Sequence, residues 1–185
     1  EFSESDGLAK LWLAATDLPA PSSLCPPPAI TRLSCSVGSA RVWNELASLN
    51  RPVLLETVTQ EKFFASVLLF QIDGSEAAVW TDQGLQWVAL AELADTWTGT
   101  YRLFWQAPTG WEGALSLGDS GVVVTQVAQM FATLDGMELK EVTEFGPALE
   151  TRIRLFQQAE GLPIDGAMNQ LTLLRLNERL GIGLT

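Results

Sequence analysis

Two thiols and a scatter of carboxylates are the side chains best able to do covalent chemistry here, and what they lack is a base. Cys25 and Cys35 would act as nucleophiles only as thiolates. A free cysteine titrates at about 8.5, so near neutral pH it needs an imidazole beside it. The 185-residue chain contains no histidine. The same gap excludes a Ser-His-Asp triad and histidine-built zinc amidase sites. Two cysteines fall short of the four N/S ligands of a structural zinc, and nothing else points to a metal or cofactor. A carboxylate pair is enough for a glycosidase. Glu56, Glu61, Asp73 and Asp82 lie in or near the predicted strands, but most read as turn or surface residues.

Charge narrows the partners. Eleven Lys and Arg face 22 Asp and Glu, a net −11. Splitting the chain near Ala114 leaves both parts acidic, so neither hides the basic patch that a nucleic acid or an anionic membrane surface requires. No apolar run is long enough to span a membrane and no signal peptide is visible, so the chain is expected to be soluble as it stands, and it reads as a fragment of something longer. A composition that is 47% hydrophobic suits one or two small domains with real cores.

The elements follow from periodicity. Leu8, Leu11, Trp12 and Ala15 share a face of a helix expected over Gly7 to Thr16. Prolines break the chain through Cys25-Pro26-Pro27-Pro28. Ser39 is the expected N-cap of a helix running to Leu49. From Arg51 the period becomes that of strands: Val53 to Val58, then Phe63 to Ile72, so apolar that it should be central and buried on both faces. Asp73-Gly74 signals a hairpin. Ala77 to Trp80 and Leu85 to Ala89 follow, with a helical turn from Leu90 to Trp97 and a last strand from Thr100 to Gln106. This is an α+β pattern, an antiparallel sheet with helices. Ala107-Pro108-Thr109-Gly110 marks a linker. Beyond it Val124, Val127, Ala128, Phe131 and Leu134 define one helix, Leu149, Ile153 and Phe156 a second, and Leu173, Leu176 and Leu180 a third. Pro147 opens the second and Asn169 caps the third.

The segment Phe156-Gln157-Gln158-Ala159-Glu160-Gly161-Leu162-Pro163-Ile164-Asp165-Gly166 joins the second helix to the third. With Gly118-Asp119-Ser120-Gly121, Phe145-Gly146-Pro147 and Thr172 at their spacing, it resembles the peptidoglycan-binding domain of cell-wall proteins. The resemblance implies a three-helix wall-binding domain over 115–185, after a linker at 108–114. Its implied ligand contacts are Phe145, Arg154, Gln157, Asp165, Asn169 and Thr172. Amides and hydroxyls hydrogen-bond sugars and stem peptides, and an aromatic face covers sugar C–H. The bland reading of Gly161, Leu162 and Asp165-Gly166 is structural: a left-handed helix stop, a core residue and a turn. Asn169 and Gln170 stand where the family has Gly and Pro, and Leu149 where it has Thr.

The first part, 1–107, through Asn50-Arg51-Pro52-Val53-Leu54-Leu55-Glu56, Leu90 to Gly99 and Leu103-Phe104-Trp105, is similar to the periplasmic region of general secretion pathway protein A. There a domain like the C39 cysteine peptidases precedes a peptidoglycan-binding domain. Phe63-Phe64-Ala65-Ser66-Val67 occupies the stretch where those peptidases carry their histidine, so the domain is expected to be inactive. The resemblance implies a periplasmic part of an inner-membrane protein of a Gram-negative bacterium. It also implies a GspB-type partner, an indirect link to the secretin, and a homo-oligomer on the wall. The expected function is non-catalytic peptidoglycan binding in support of a type II secretion complex. The alternative is a hydrolase or peptidase brought to the wall by the same domain. In such a compartment Cys25 and Cys35 are expected to form a disulfide contributing about 2–3 kcal/mol; two free buried thiols are the other reading.

Overall fold

The computed structural model describes residues 2–15, 33–81, 83–138 and 142–182. They form two compact units, the first ending at Trp105 and the second beginning at Gln106.

The first unit is a six-stranded, wholly antiparallel sheet. In chain order the strands are β1 (Ser34–Ser39), β2 (Val53–Val58), β3 (Phe64–Asp73), β4 (Glu76–Thr81), β5 (Gly84–Ala89) and β6 (Trp97–Trp105). In space the order is β1-β6-β2-β3-β4-β5. Helix α1 (Glu4–Ala15) lays Leu8, Leu11 and Trp12 on Leu54, Leu68 and Phe104, and Trp12 meets Phe104 edge to face with ring centroids 5.2 Å apart. These apolar side chains hold the helix to the sheet. Gly7 lets it come close: a Cβ there would lie 2.7 Å from Leu54 Cδ1 and 3.2 Å from Ser66 Cβ.

Three expectations for this unit change. Helix α1 starts before Gly7, because Ser3 caps it: its Oγ accepts the Asp6 amide at 3.2 Å. Ser39 is not a helix cap. It pairs with Thr100 at the end of edge strand β1, which requires extended backbone. The helix that follows, α2 (Trp43–Ala47), is a single short turn capped by Val42 without a side-chain bond. Strand β3 is interior and buried on both faces only from Ala65 to Leu69. Phe63 and Phe64 stand at its mouth 70% and 77% exposed. After α3 (Leu90–Ala94) the chain returns directly into β6.

The second unit holds α4 (Val122–Leu134), α5 (Pro147–Ala159) and α6 (Gln170–Arg179). Val124, Val127, Phe131, Ile153, Phe156, Leu173 and Leu176 are buried, the stripes expected from their spacing. Phe131 and Phe156 pack edge to face at 5.5 Å. Asp135, just past α4, takes both ends of the Arg152 guanidinium of α5 at 2.7 and 2.8 Å, and Arg152 also lies 4.8 Å over the Phe131 ring.

Candidate functional site

The connection from α5 to α6 is built by local rules. Gly161, at φ +67°, supplies the left-handed residue that ends α5. The Leu162 amide bonds back to Gln157 O at 2.9 Å and the Gly161 amide to Gln158 O at 3.3 Å, the paired closure of a Schellman motif. Leu162 then tucks into the core. Asp165 Oδ1 accepts the Ala167 amide at 2.9 Å, forming an Asx turn. Asn169 Oδ1 accepts the Thr172 amide at 2.9 Å and caps α6.

Gln157 ties these pieces together from beneath. Its Nε2 donates to Asp165 Oδ1 at 2.7 Å, Ala167 O at 3.0 Å and Thr172 Oγ1 at 3.1 Å. Its Oε1 accepts the Gly166 amide at 2.9 Å. The Thr172 hydroxyl donates to Asn169 Oδ1, and Asn169 Nδ2 donates to Asp165 Oδ2. Burial pushes the Asp165 carboxyl up. Hydrogen bonds from Gln157, the Ala167 amide, Asn169 and its own amide outweigh that, and it sits below the usual carboxylate range. Arg154 covers the turn from outside: it pairs with Glu150 at 2.9 Å and donates to Ile164 O at 3.1 Å. Its guanidinium lies so close over Gly166 that a Cβ there would meet Nε at 2.7 Å.

The six residues expected to touch ligand therefore divide. Gln157 and Phe145 are wholly buried and Thr172 nearly so. Phe145 offers no ring face; its amide and carbonyl pair with Asp119 O and the Gly118 amide, strapping the Gly118–Gly121 turn in place. Arg154 and Asp165 are exposed and Asn169 half-buried. Beside them stands Ile164, 52% exposed, an apolar residue that sequence reasoning passed over because it lies in a turn with no periodicity to flag it. Cys25, and with it the expected Cys25–Cys35 bridge, falls outside the described residues, as does Asp82 of the carboxylates considered; Cys35 stands in β1 opposite Phe104. Among the described residues no cluster of His, Cys, Asp and Glu could hold a metal, and no helix is long and apolar enough to cross a membrane.

Residues 120–176, which hold the three helices and this loop, match the family described as "Putative peptidoglycan binding domain". The chain as a whole is similar to general secretion pathway protein A of Aeromonas hydrophila, with 27% identity over 182 residues, 97% of this chain and 32% of that protein. It thus spans about a third of that relative's length. Among solved structures it is similar to a periplasmic domain of the EpsAB fusion protein of the Vibrio vulnificus type II secretion system. The TM-score is 0.59 and the identity 25%, covering 96% of this chain and 78% of that one. The N-terminal peptidase C39 like domain of the toxin secretion ATP-binding protein from Vibrio parahaemolyticus matches 55% of this chain and 91% of its own, at 19% identity and a TM-score of 0.38.

Proposed function

We propose that this chain is a non-catalytic, periplasmic binder of peptidoglycan that supports assembly or multimerisation of a type II secretion complex across the wall. The match of residues 120–176 to the peptidoglycan-binding family carries this reading. Its likeness along nearly the whole chain to a general secretion pathway protein supports the setting; a GspB-type partner, an indirect link to the secretin and a disulfide between Cys25 and Cys35 belong to the same reading. Arg154, Ile164, Asp165 and Asn169 form the contact surface. Phe145, Gln157 and Thr172 act through them, by holding the loop. The sheet unit is a scaffold. Where a cysteine peptidase needs an imidazole this chain has none at all, and around Ser66 the sheet is closed by α1 packed at Gly7.

Co-sedimentation with purified wall sacculi tests the binding. The full chain is expected in the pellet at physiological salt, with no soluble fragments released on long incubation. A chain left in the supernatant removes the reading. Released fragments would make it a wall-targeted hydrolase instead.

A further inference from the structure

Strand β5 closes one end of the strand order, and among the described residues nothing pairs with its outer side. Thr81 and Gly84 are partners across a two-residue turn, so they form a hydrogen-bonded pair. The alternation of an antiparallel ladder then turns Gln86 and Val88 toward β4 as well. The backbone N–H and C=O groups of Leu85, Trp87 and Ala89 therefore face outward. Natural sheets blunt such an edge with a lysine, a proline, a bulge or a very short strand. Gly84–Ala89 carries no charge and no proline, and its register with β4 runs unbroken through six pairs.

The side chains add an apolar face. No residue of β5 is buried, and Leu85 and Trp87 are 51% and 48% exposed. With Phe70, Ile72 and Pro52 these two line a groove of about 490 Å³. Trp80, opposite Leu85 on β4, is exposed as well. The surroundings have one sign. Residues 63–101, which include β3, β4, β5 and α3, contain no lysine or arginine and five acids: Asp73, Glu76, Asp82, Glu92 and Asp95. Among the described residues Arg51 is the one cation lining the groove, and its Nε donates to Leu49 O at 3.2 Å. Charge therefore selects what can pair here. Two copies joined through β5 would bring two acidic surfaces together, whereas a strand with basic side chains meets the opposite field.

We propose that β5 accepts a further strand, from an extended segment of another protein in which basic and apolar side chains alternate. Main-chain hydrogen bonds to Leu85, Trp87 and Ala89 would supply affinity, and the segment's apolar side chains would lie beside Leu85 and Trp87. Its cations would face the acids around the edge. Those acids serve twice, keeping copies of this chain apart and drawing the partner in. This docking edge belongs to the first unit and does not depend on wall binding.

The test uses the full chain labelled with 15N and three short capped peptides at low salt. One alternates lysine and valine, the second alternates glutamate and valine, and the third is the first with every backbone nitrogen methylated. The lysine peptide is expected to shift the Leu85, Trp87 and Ala89 backbone amide signals saturably. The glutamate peptide should bind at least about tenfold more weakly, and the methylated one should lose the response at those amides. Trp87→Lys, at an exposed site, gives the edge the charge that natural edges carry and should weaken binding of the lysine peptide about tenfold. Leu85→Lys takes its place if that variant does not fold. Silence of β5 at millimolar lysine peptide, equal binding of the two charged peptides, an undiminished response to the methylated one, or unchanged affinity in the lysine variants would overturn the proposal. So would β5 signals that move with protein concentration alone alongside a dimer in sedimentation, because the edge would then serve a second copy.

Discussion

Gln157 joins three acceptors and one amide with a single side chain, so its loss would orphan several groups at once. Gln157→Ala is expected to lower stability by about 2–4 kcal/mol, from a buried cavity and an unmet Gly166 N–H. Urea unfolding followed by helical circular dichroism measures it. A cost within error of zero would mean that the loop does not depend on this residue. Asp165 sets a pH dependence. Its carboxyl is held below its ordinary value in the folded chain, so the stability it adds is fully present only well above about pH 4, where an unfolded carboxylate is ionised. It is lost as pH falls through the lower folded value. Asp135 behaves alike, lowered first by its hydrogen bond to Arg152. Asp165→Asn and Asp135→Asn should each flatten the acid limb of a stability-against-pH curve. An unchanged slope in both would show that the carboxylates gain nothing from these partners.

Helix α1 shows how a contact can outvote propensity. Replacing glycine by alanine inside a helix ordinarily gains about 1 kcal/mol. At Gly7 the new Cβ would press on Leu54 Cδ1 and Ser66 Cβ, and Leu54 sits in the core beneath. Gly7→Val, with more bulk, is expected to cost about 1–3 kcal/mol and to shift the emission of the tryptophans as α1 lifts. A neutral thermal midpoint would show that the helix slides without loss. The same elements mark what the sequence could and could not disclose. The stripes of α4, α5 and α6, the Gly161 stop and the Asn169 cap are set by neighbours a few residues away, and reading them needed only the chain itself. Strand β1 is different. Ser34–Ser39 is rich in serine and glycine and has no strong strand preference of its own; it is extended because β6, distant in sequence, pairs with it. The burial of Gln157 and Phe145 was hidden for a related reason. Their residue types fit a binding groove as well as a core network, and which they serve depends on loops that return from elsewhere.

At the scale of the molecule, charge governs how such a chain can hold a wall. With twice as many carboxylates as cations, the chain would, on the proposed reading, meet a polymer that is itself rich in free carboxylates. The arginines of the second unit do not offset this. Arg152 is paired with Asp135, Arg154 with Glu150, Arg175 with Glu178 and Arg179 with Glu160. On the proposed reading a surface of Arg154, Ile164, Asp165 and Asn169, its one guanidinium already paired with Glu150, therefore has to bind against a long-range repulsion. Salt shortens that repulsion, from a reach of about 10 Å at 0.1 M to about 3 Å at 1 M, and touches neutral hydrogen bonds and apolar contact little. Retention on sacculi should accordingly hold steady or rise as salt increases, whereas a cationic binder would lose it steeply. Ile164→Asp, which adds a charge at an exposed position and leaves the core alone, should make retention weak at low salt and partly restored at high salt. Retention that collapses with salt in the unmodified chain would place the contact on cations outside the Gln157 loop. The wall would then be held by charge, and the hydrogen-bonded turn would serve the fold alone.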